Sequence, residues 1–284
     1  MKTNYHTHTT FCDGKNTPEE MVNAAIEKGF DELGFSAHAL YPFAASWHLG
    51  AAHFTEYVAC IKALAKKYES KIKILTGFEV DYLPPFSVPD KAAYKALGAD
   101  YIIAAVHYVP GAARMAALKM EQNAKMTSVD ASSKEVQRGI TEVFGGSGKN
   151  LVRAYYAQVR KMVSSCDFDI LAHIDVVRRR NDDLHFFCED DAWYKRELEH
   201  TARVVEHAAK EKHFLCEINS GGMARSGLNE PYPSNRFFEL LLQKKHIQFV
   251  LSSDAHKAEH LDFAFDSIQF SEAAKGRICP RIDG

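Results

Sequence analysis

Histidine and carboxylate residues recur along this chain at spacings that suit metal binding. His6 and His8 form one pair near the N-terminus, and Asp254 and His256 form a pair with the same spacing near the other end. Side chains two residues apart on a β-strand point to the same side, so each pair can contact one ion together. Imidazole and carboxylate are ligands that Zn, Mn and Fe take in proteins. The spacing therefore predicts a metal site to which both ends of the chain contribute.

The elements that must position these residues are short β-rich runs that alternate with longer helical stretches. We predict seven strands, at residues 4–8, 32–37, 73–78, 100–106, 169–172, 214–218 and 246–252. Helices are predicted at residues 17–29, 54–68, 90–97, 151–164, 190–212 and 235–245. Strand–helix alternation predicts an α/β fold with a parallel sheet and helices packed outside it. A closed or nearly closed barrel is the most economical arrangement.

The candidate metal ligands fall where the predicted strands end. In chain order these positions are occupied by His6 and His8, His38, Glu79, His107, His173, and Asp254 with His256. The carboxyl ends of parallel barrel strands converge on one face, where active sites are built. Six of the 14 histidines share this placement, which favours one common metal site over separate core histidines.

Composition limits the class of protein. The 284 residues, 46% hydrophobic and 25% charged, suit a soluble globular protein with a full core. A formal net charge of -2 gives no electrostatic reason to expect a nucleic-acid partner, and no apolar run reaches the length of a membrane helix. The N-terminal sequence lacks the apolar segment of a signal peptide. We therefore expect a cytoplasmic protein whose six cysteines are reduced thiols.

We expect one barrel domain over residues 1–284, with an insertion that carries short helices at about residues 110–149 after the fourth strand. This stretch is polar and rich in Ala, Ser and Gly, and is either a lid over the site or a plain surface excursion. The sequence GGSGKN at Gly145–Asn150 suggests a phosphate loop. However, Val143 replaces the first glycine of that motif and Asn150 replaces its Ser or Thr. We therefore predict no nucleotide site there.

An ordered series of motifs resembles the PHP (polymerase and histidinol phosphatase) superfamily. The first is HTHTTFCDG, followed by TPEEMV. The later segments GFEVDY, AAVHY, FDILAHIDVV, CEINSGG, EPYPSNR and VLSSDAH are similar to the histidinol-phosphatase branch. The resemblance extends from about Asn4 to about His256. It implies a distorted (β/α)7 TIM-like barrel that holds up to three divalent ions, which are Zn, Mn or Fe.

The resemblance also implies how the ligands divide among the ions. One ion would bind His6, His8, Glu79 and Asp254, a second would bind Asp13, His38 and His256, and a third would bind His107 and His173 with Glu79 bridging to it. Glu79, Asp254 and His256 are the ligands that we predict to be catalytic. Asp13 has an alternative interpretation, because relatives often place histidine in this loop and Asp13-Gly14 also suits a simple turn.

Several neighbouring cations suit a phosphate dianion, and paired ions lower the pKa of a shared water and clamp the attacking and leaving oxygens. The predicted reaction is direct attack of metal-bound hydroxide on the phosphorus of a phosphomonoester. Arginine matches phosphate oxygens bidentately. By resemblance we predict Arg160 as a phosphate contact, and Arg225 as a second one; either could instead be an exposed arginine. The Arg178–Arg180 run could touch substrate, although such a run more often forms a solvated face.

The resemblance implies an L-histidinol-phosphate phosphatase of histidine biosynthesis, a phosphoric monoester hydrolase that acts on a small molecule. One alternative is another PHP phosphoesterase that acts on a different small phosphate ester or a nucleotide. A second is a non-catalytic PHP-like module, against which the complete ligand set argues. A third is a metal-dependent amidohydrolase, which would typically have a carboxylated lysine where this chain has Glu79.

Overall fold

The computed structural model describes residues 1–39, 41, 47–111 and 126–282. Its strands are β1 (Thr3–Asn4), β2 (Glu32–His38), β3 (Lys73–Asp81), β4 (Tyr101–Ala105), β5 (Tyr108–Pro110), β6 (Met126–Ser128), β7 (Ile170–Leu171), β8 (Leu215–Asn219) and β9 (Gln248–Ser252). Seven of them form one sheet in the order β1-β2-β3-β4-β7-β8-β9, in which neighbours run parallel. The seven predicted strands and the predicted fold class are confirmed.

The sheet is nearly closed into a barrel by contacts between its two ends. The backbone N–H of His8 donates to the carbonyl of Ala255 at 2.8 Å, and the N–H of Ala255 donates to the carbonyl of His6 at 3.0 Å. The carbonyl of Thr7 accepts from Ser36 of β2 at 2.9 Å. Because residues 6–8 divide their hydrogen bonds in this way, the regular ladder of β1 is shorter than the predicted strand at residues 4–8.

Helices follow the strands and cover the outside of the sheet. They are α1 (Pro18–Glu27), α2 (Phe54–Lys67), α3 (Lys91–Ala96), α4 (Ser133–Phe144), α5 (Gly148–Ser165), α6 (Asn181–Leu184), α7 (Ala192–Glu211), α8 (Gly221–Ser226), α9 (Asn235–Leu242) and α10 (Glu272–Lys275). A capping box begins α1, in which the Thr17 hydroxyl accepts from the N–H of Glu20 and the Glu20 carboxylate accepts from the N–H of Thr17. Each predicted helix is confirmed, with ends that differ by three residues or fewer.

The barrel interior is filled by side chains, and Tyr101 occupies the space that two glycines leave. Its hydroxyl oxygen lies 2.5 Å from the carbonyl oxygen of Tyr5 and 3.0 Å from that of Phe35. A Cβ at Gly34 or Gly77 would lie 2.4 Å from an atom of Tyr101, so larger residues do not fit there. The candidate ligands at the carboxyl ends of the strands therefore lie at one end of a barrel whose interior is packed with side chains.

The predicted insertion contains a strand pair that the sequence did not reveal, together with α4, which agrees with the short helices expected there. β5 and β6 pair antiparallel, with Tyr108 opposite Ser128, and α4 lies against β6 so closely that a Cβ at Gly139 would be 2.2 Å from Thr127 Oγ1. The GGSGKN sequence forms the turn between α4 and α5 and the first residues of α5; Gly145 adopts a φ of 61° and Ser147 caps α5. Residues 112–125 of the predicted insertion lie outside the described residues.

Within the part of the chain that the structure describes, no helix has both the length and the apolar character needed to cross a membrane.

Candidate metal centre

All nine predicted ligands come together at the carboxyl ends of the barrel strands. Ligand atoms form four overlapping groups, in each of which the atoms lie within 4.8 Å of one another. The groups are His8, Asp13, His38 and His256; His6, Glu79 and His173; His6, His8 and Asp254; and His38, Glu79 and His107. Because the groups share members, they form one continuous centre. Eight of the nine residues are buried, and Asp13 is partly exposed.

Glu79 lies in the middle of this centre, and its two oxygens face different histidines. Oε2 is 3.0 Å from His38 Nδ1 and 3.2 Å from His6 Nε2. Oε1 is 3.0 Å from His173 Nε2 and 3.4 Å from His107 Nε2. The two oxygens of Glu79 can therefore contact different groups of candidate ligands.

Two aspartates complete the other side of the centre. Asp254 Oδ1 lies 3.2 Å from His8 Nε2. Asp13 Oδ2 lies 3.0 Å from His256 Nε2, and Asp13 Oδ1 lies 3.7 Å from His38 Nε2. Asp13 is in a turn and also directs its carboxylate at the histidines, so the two sequence interpretations of this residue are compatible.

Asp254 adopts a backbone conformation that is uncommon for residues other than glycine. Its φ is 49°, in the left-handed region. Gly221, the first of the paired glycines after β8, leaves room for it, because a Cβ there would lie 2.8 Å from Asp254 Cβ. Backbone strain of this kind is often found at functional sites.

Several atoms in the centre are buried without a hydrogen-bond partner among the described residues. They are His6 Nε2, His8 Nε2, His38 Nδ1, Asp13 Oδ1 and Glu79 Oε2. A buried polar atom left unsatisfied costs about 1–3 kcal/mol, and these atoms converge on shared space rather than on protein donors. Cations between them would satisfy all five, and imidazole with carboxylate is a suitable donor set for Zn, Mn or Fe. The residues present therefore fit divalent metal ions.

The ionisable side chains of the centre shift one another's pKa values. Burial lowers the pKa of His8 to about 3, and the neighbouring His256 and His38 also lower it, so its imidazole is neutral. Burial opposes the charge on His107, but Asp81 and Glu79 raise its pKa to about 10. Burial would raise the pKa of Glu79, yet the surrounding histidines hold it well below its ordinary range. The site thus presents an ionised carboxylate at its middle.

Two buried carboxylates that sequence reasoning missed hold the histidines in place. The Nδ1–H of His6 donates to Glu217 at 2.7 Å, and the backbone N–H of His173 donates to the other oxygen of Glu217 at 2.9 Å. Asp81 accepts from the His107 ring at 2.8 Å and from its backbone N–H at 2.6 Å. Partners of this type orient ligating histidines and increase their basicity.

The sequence contains a signal for Asp81 and another for Glu217. Asp81 is two residues beyond Glu79 in GFEVDY, so strand alternation places it on the same side. Glu217 is a carboxylate inside an apolar strand run in CEINSGG, where an unpaired charge would be costly.

The two arginines predicted to contact phosphate have different positions. Arg225 forms an ion pair with Asp254, and its Nη1 lies 3.0 Å from His256 Nε2. Arg160 instead pairs with Glu197 at 2.9 Å. Because α5 packs against α7, the Arg160 side chain lies between these helices, and the structure does not bring it to the centre. Arg225 therefore lies at the centre and Arg160 does not, and a role of either in phosphate binding stays a prediction.

The Arg178–Arg180 run does not form a solvated face. Arg178 is buried and forms an ion pair with Glu230. Arg179 pairs with Asp130, which follows β6, and lines the cavity beside the metal centre. The run therefore connects the barrel to the segment that follows β6.

A cavity of about 670 Å³ adjoins the centre. Asp13, His38 and Arg225 line it on the side of the metal ligands, and Trp47, Tyr108 and α4 line it elsewhere. Its volume is in the range of sites that hold small molecules.

The sequence model of the PHP domain matches residues 4–221. The chain therefore belongs to the PHP domain family, as its motifs predicted.

Relatives that match most of the chain include histidinol-phosphatases. The chain is 26% identical to a Deinococcus radiodurans protein assigned as a histidinol-phosphatase, with 96% of this chain and 93% of the relative covered. It is 23% identical to the histidinol-phosphatase of Bacillus subtilis, with 94% and 98% covered.

Solved structures confirm the barrel fold. A Listeria monocytogenes protein assigned as a histidinol phosphatase has a TM-score of 0.76 at 22% identity, with 94% of this chain and 100% of that chain covered. Histidinol phosphate phosphatase from Lactococcus lactis, solved in complex with zinc, L-histidinol and phosphate, has a TM-score of 0.58 at 21% identity, with 90% and 87% covered.

Proposed function

We propose that this protein is a divalent-metal-dependent phosphatase that hydrolyses L-histidinol phosphate to L-histidinol and phosphate. The position of Glu79 carries the proposal. Its two carboxylate oxygens face histidines of separate strands at 3.0 to 3.4 Å. A buried carboxylate with imidazoles on both sides suits adjacent cations, and a cluster of cations suits a phosphate dianion.

The ligands divide into three sets in this proposal, as the resemblance implied. The first set is His6, His8, Glu79 and Asp254, the second is Asp13, His38 and His256, and the third is His107 and His173 with Glu79. The orientation of Glu79 supports the separation of the first and third sets, because Oε1 faces His107 and His173 whereas Oε2 faces His6. Oε2 also faces His38 of the second set at 3.0 Å. His8 also clusters with Asp13, His38 and His256, so it lies at the boundary between the first two sets.

When bound, divalent ions supply Lewis acidity and lower the pKa of a coordinated water, which is the chemistry that phosphomonoester hydrolysis requires. The chain's own residues provide the setting for this chemistry. Glu79 and Asp254, whose pKa values the neighbouring cationic groups hold well below their ordinary range despite burial, remain ionised. Glu217 and Asp81 keep the Nδ1 atoms of His6 and His107 protonated, so that the Nε2 lone pairs are directed into the centre.

Arg225 and Arg179 are the residues that we propose to bind the phosphate. Both guanidinium groups line the cavity, and Arg225 contacts Asp254 and His256 of the metal centre. A planar guanidinium can exchange a carboxylate partner for two phosphate oxygens. This arrangement places positive charge from the protein next to the proposed ions.

The choice of L-histidinol phosphate rests on the relatives. Histidinol-phosphatases match this chain over nearly its whole length, and the Lactococcus lactis enzyme of similar fold was solved with L-histidinol and phosphate. The cavity beside the centre has room for an alcohol of this size.

The test is phosphate release by protein loaded with Zn, Mn or Fe(II), with L-histidinol phosphate compared with sugar phosphates and nucleoside monophosphates. We expect kcat/KM for L-histidinol phosphate to exceed the values for the other esters by at least about tenfold. A site that binds the polar groups of its substrate strongly disfavours compounds that lack them. A His8→Ala/His173→Ala variant should release no phosphate above background. Preference for a nucleotide or another small ester would instead support a different PHP phosphoesterase activity, and activity in the double variant would reject the proposed centre.

A further inference from the structure

The cavity has an aromatic wall, which we define as Trp47 and Tyr108. Their rings lie within 22° of parallel, with centroids 5.8 Å apart. The Trp47 ring also contacts His38 edge-on at a centroid distance of 4.7 Å. The wall is therefore held in a fixed orientation and adjoins a proposed metal ligand.

The carboxylates that line the cavity differ in what they contact. Asp13 lies 3.0 Å from His256, Asp130 pairs with Arg179, and Glu135 accepts from the Ser132 hydroxyl at 2.6 Å within the cap of α4. Glu142 of α4 makes no hydrogen bond or ion pair with any residue in the described ranges. It is exposed within the cavity and remains available to a ligand.

Among the described residues, the nearest cation along the same helix makes no ion pair with Glu142. Arg138, one turn before Glu142, lines the same side of the cavity and acts on Glu135, whose pKa its charge helps to lower. The cavity therefore combines cationic Arg225 and Arg179 beside the metal ligands with an unpaired carboxylate on α4.

We infer that the aromatic wall and Glu142 form the subsite for the alcohol portion of the substrate, with a planar ring packed against Trp47 and an ammonium group paired with Glu142. This inference rests on the proposed function and specifies its substrate as a phosphate ester of an amino alcohol that carries a planar ring. A flat ring gains dispersion and π contacts on an indole face. A carboxylate at the same cavity attracts ammonium and repels the additional phosphates of a nucleoside polyphosphate.

Four substrates separate the two contacts. L-histidinol phosphate has the ring and the amine, 3-(imidazol-4-yl)propyl phosphate has only the ring, phosphoethanolamine has only the amine, and ethyl phosphate has neither. Glu142→Gln should raise KM about threefold for the two amines and leave the other two unchanged, a size typical of an exposed ion pair. Trp47→Leu should raise KM about fivefold to tenfold for the two ring-bearing esters, as expected for loss of a ring contact. Trp47→Phe should recover most of this loss.

The matched control is Glu69→Gln, which removes an exposed carboxylate on another part of the surface. If Trp47→Leu lowers kcat equally for all four esters, Trp47 supports His38 rather than the substrate ring, and the inference is wrong. The inference is also wrong if Glu142→Gln acts equally on esters with and without the amine.

Binding of the product alcohol provides a second measurement that does not depend on turnover. The chain has two tryptophans, so in a Trp193→Phe protein the indole fluorescence comes from Trp47. L-histidinol added to the metal-loaded protein should change this fluorescence saturably, and Glu142→Gln should weaken its binding about threefold. No fluorescence change with L-histidinol would overturn the inference. Failure of the proposed function is distinct, because it appears as preference of the wild-type protein for an unrelated ester.

Discussion

His6 Nδ1 lies 2.7 Å from a carboxylate oxygen of Glu217, and both side chains are fully buried. Burial would raise the pKa of Glu217, but His6 and His173 lower it below its usual value. An ionised carboxylate only accepts hydrogen bonds, so the proton of His6 is on Nδ1. Its Nε2 is therefore the atom that faces Glu79 and Asp254, and once it loses its own proton it can bind a metal ion there.

We predict that Glu217→Gln weakens metal binding by about 10-fold to 100-fold, the effect typical of a lost carboxylate partner of a ligating histidine. Competition with a metal chelator measures this affinity. The control is Glu206→Gln, which disrupts a carboxylate–histidine pair with His246 that lies 2.7 Å apart at the surface. Equal metal affinity in Glu217→Gln and wild type would show that the contact of Glu217 with His6 does not favour metal binding.

Metal binding should release protons. Without metal the pKa of His107 is about 10, because Asp81 and Glu79 raise it against the effect of burial. At pH 8 its imidazole is therefore protonated, whereas a ligand must be neutral, so binding displaces a proton. Apparent affinity should rise as pH increases toward 10 and fall as pH decreases. Calorimetry in buffers of different ionisation enthalpy counts the protons; none released at pH 8 would contradict this assignment.

Arg225 and Arg160 should differ sharply in their effect on catalysis. Arg225→Ala should lower kcat/KM by about 100-fold or more, as removal of a charge-stabilising donor does at other active sites. Arg160→Ala should leave kcat/KM within about twofold of wild type, the change expected for a group outside the active site, and should lower Tm slightly, because its partner Glu197 is lost. Steady-state kinetics and thermal unfolding test both. A large loss of kcat/KM in Arg160→Ala would show that Arg160 acts in the active site.

Gly77→Ala should destabilise the barrel by about 1–3 kcal/mol through overpacking. A Cβ at this position would lie 2.4 Å from the Tyr101 ring, which is buried among other side chains of the barrel interior. Gly50→Ala is the matched control, since its Cβ would lie 3.5 Å from the nearest atom and its φ is -68°. Urea unfolding measures the difference; equal midpoints for the two variants would contradict the packing argument.

Strand alternation and ligand chemistry predicted much of the centre. The i, i+2 pairs and the histidines at strand ends require only local patterns and the convergence of parallel strands on one face. These patterns placed His6, His38 and Glu79 correctly relative to the sheet, as the register of His38 with Glu79 illustrates. The seven strands of the sheet follow from the same strand–helix alternation.

The features that were missed depend on packing between distant segments. Glu217 contacts His6 from 211 residues away, so neither local sequence reveals the pair. Arg160 followed from resemblance alone, whereas its direction is set by how α5 packs on α7. The short strands β5 and β6 have three residues each and carry little periodic signal.

The most direct test of the proposed centre is an element-specific anomalous difference map of crystals grown with Mn or Zn. We expect peaks between the two oxygens of Glu79 and the histidines that face them, with ligand distances near 2.0–2.2 Å for Zn. Peaks confined to surface histidines, with Glu79 contacting only protein atoms, would contradict it.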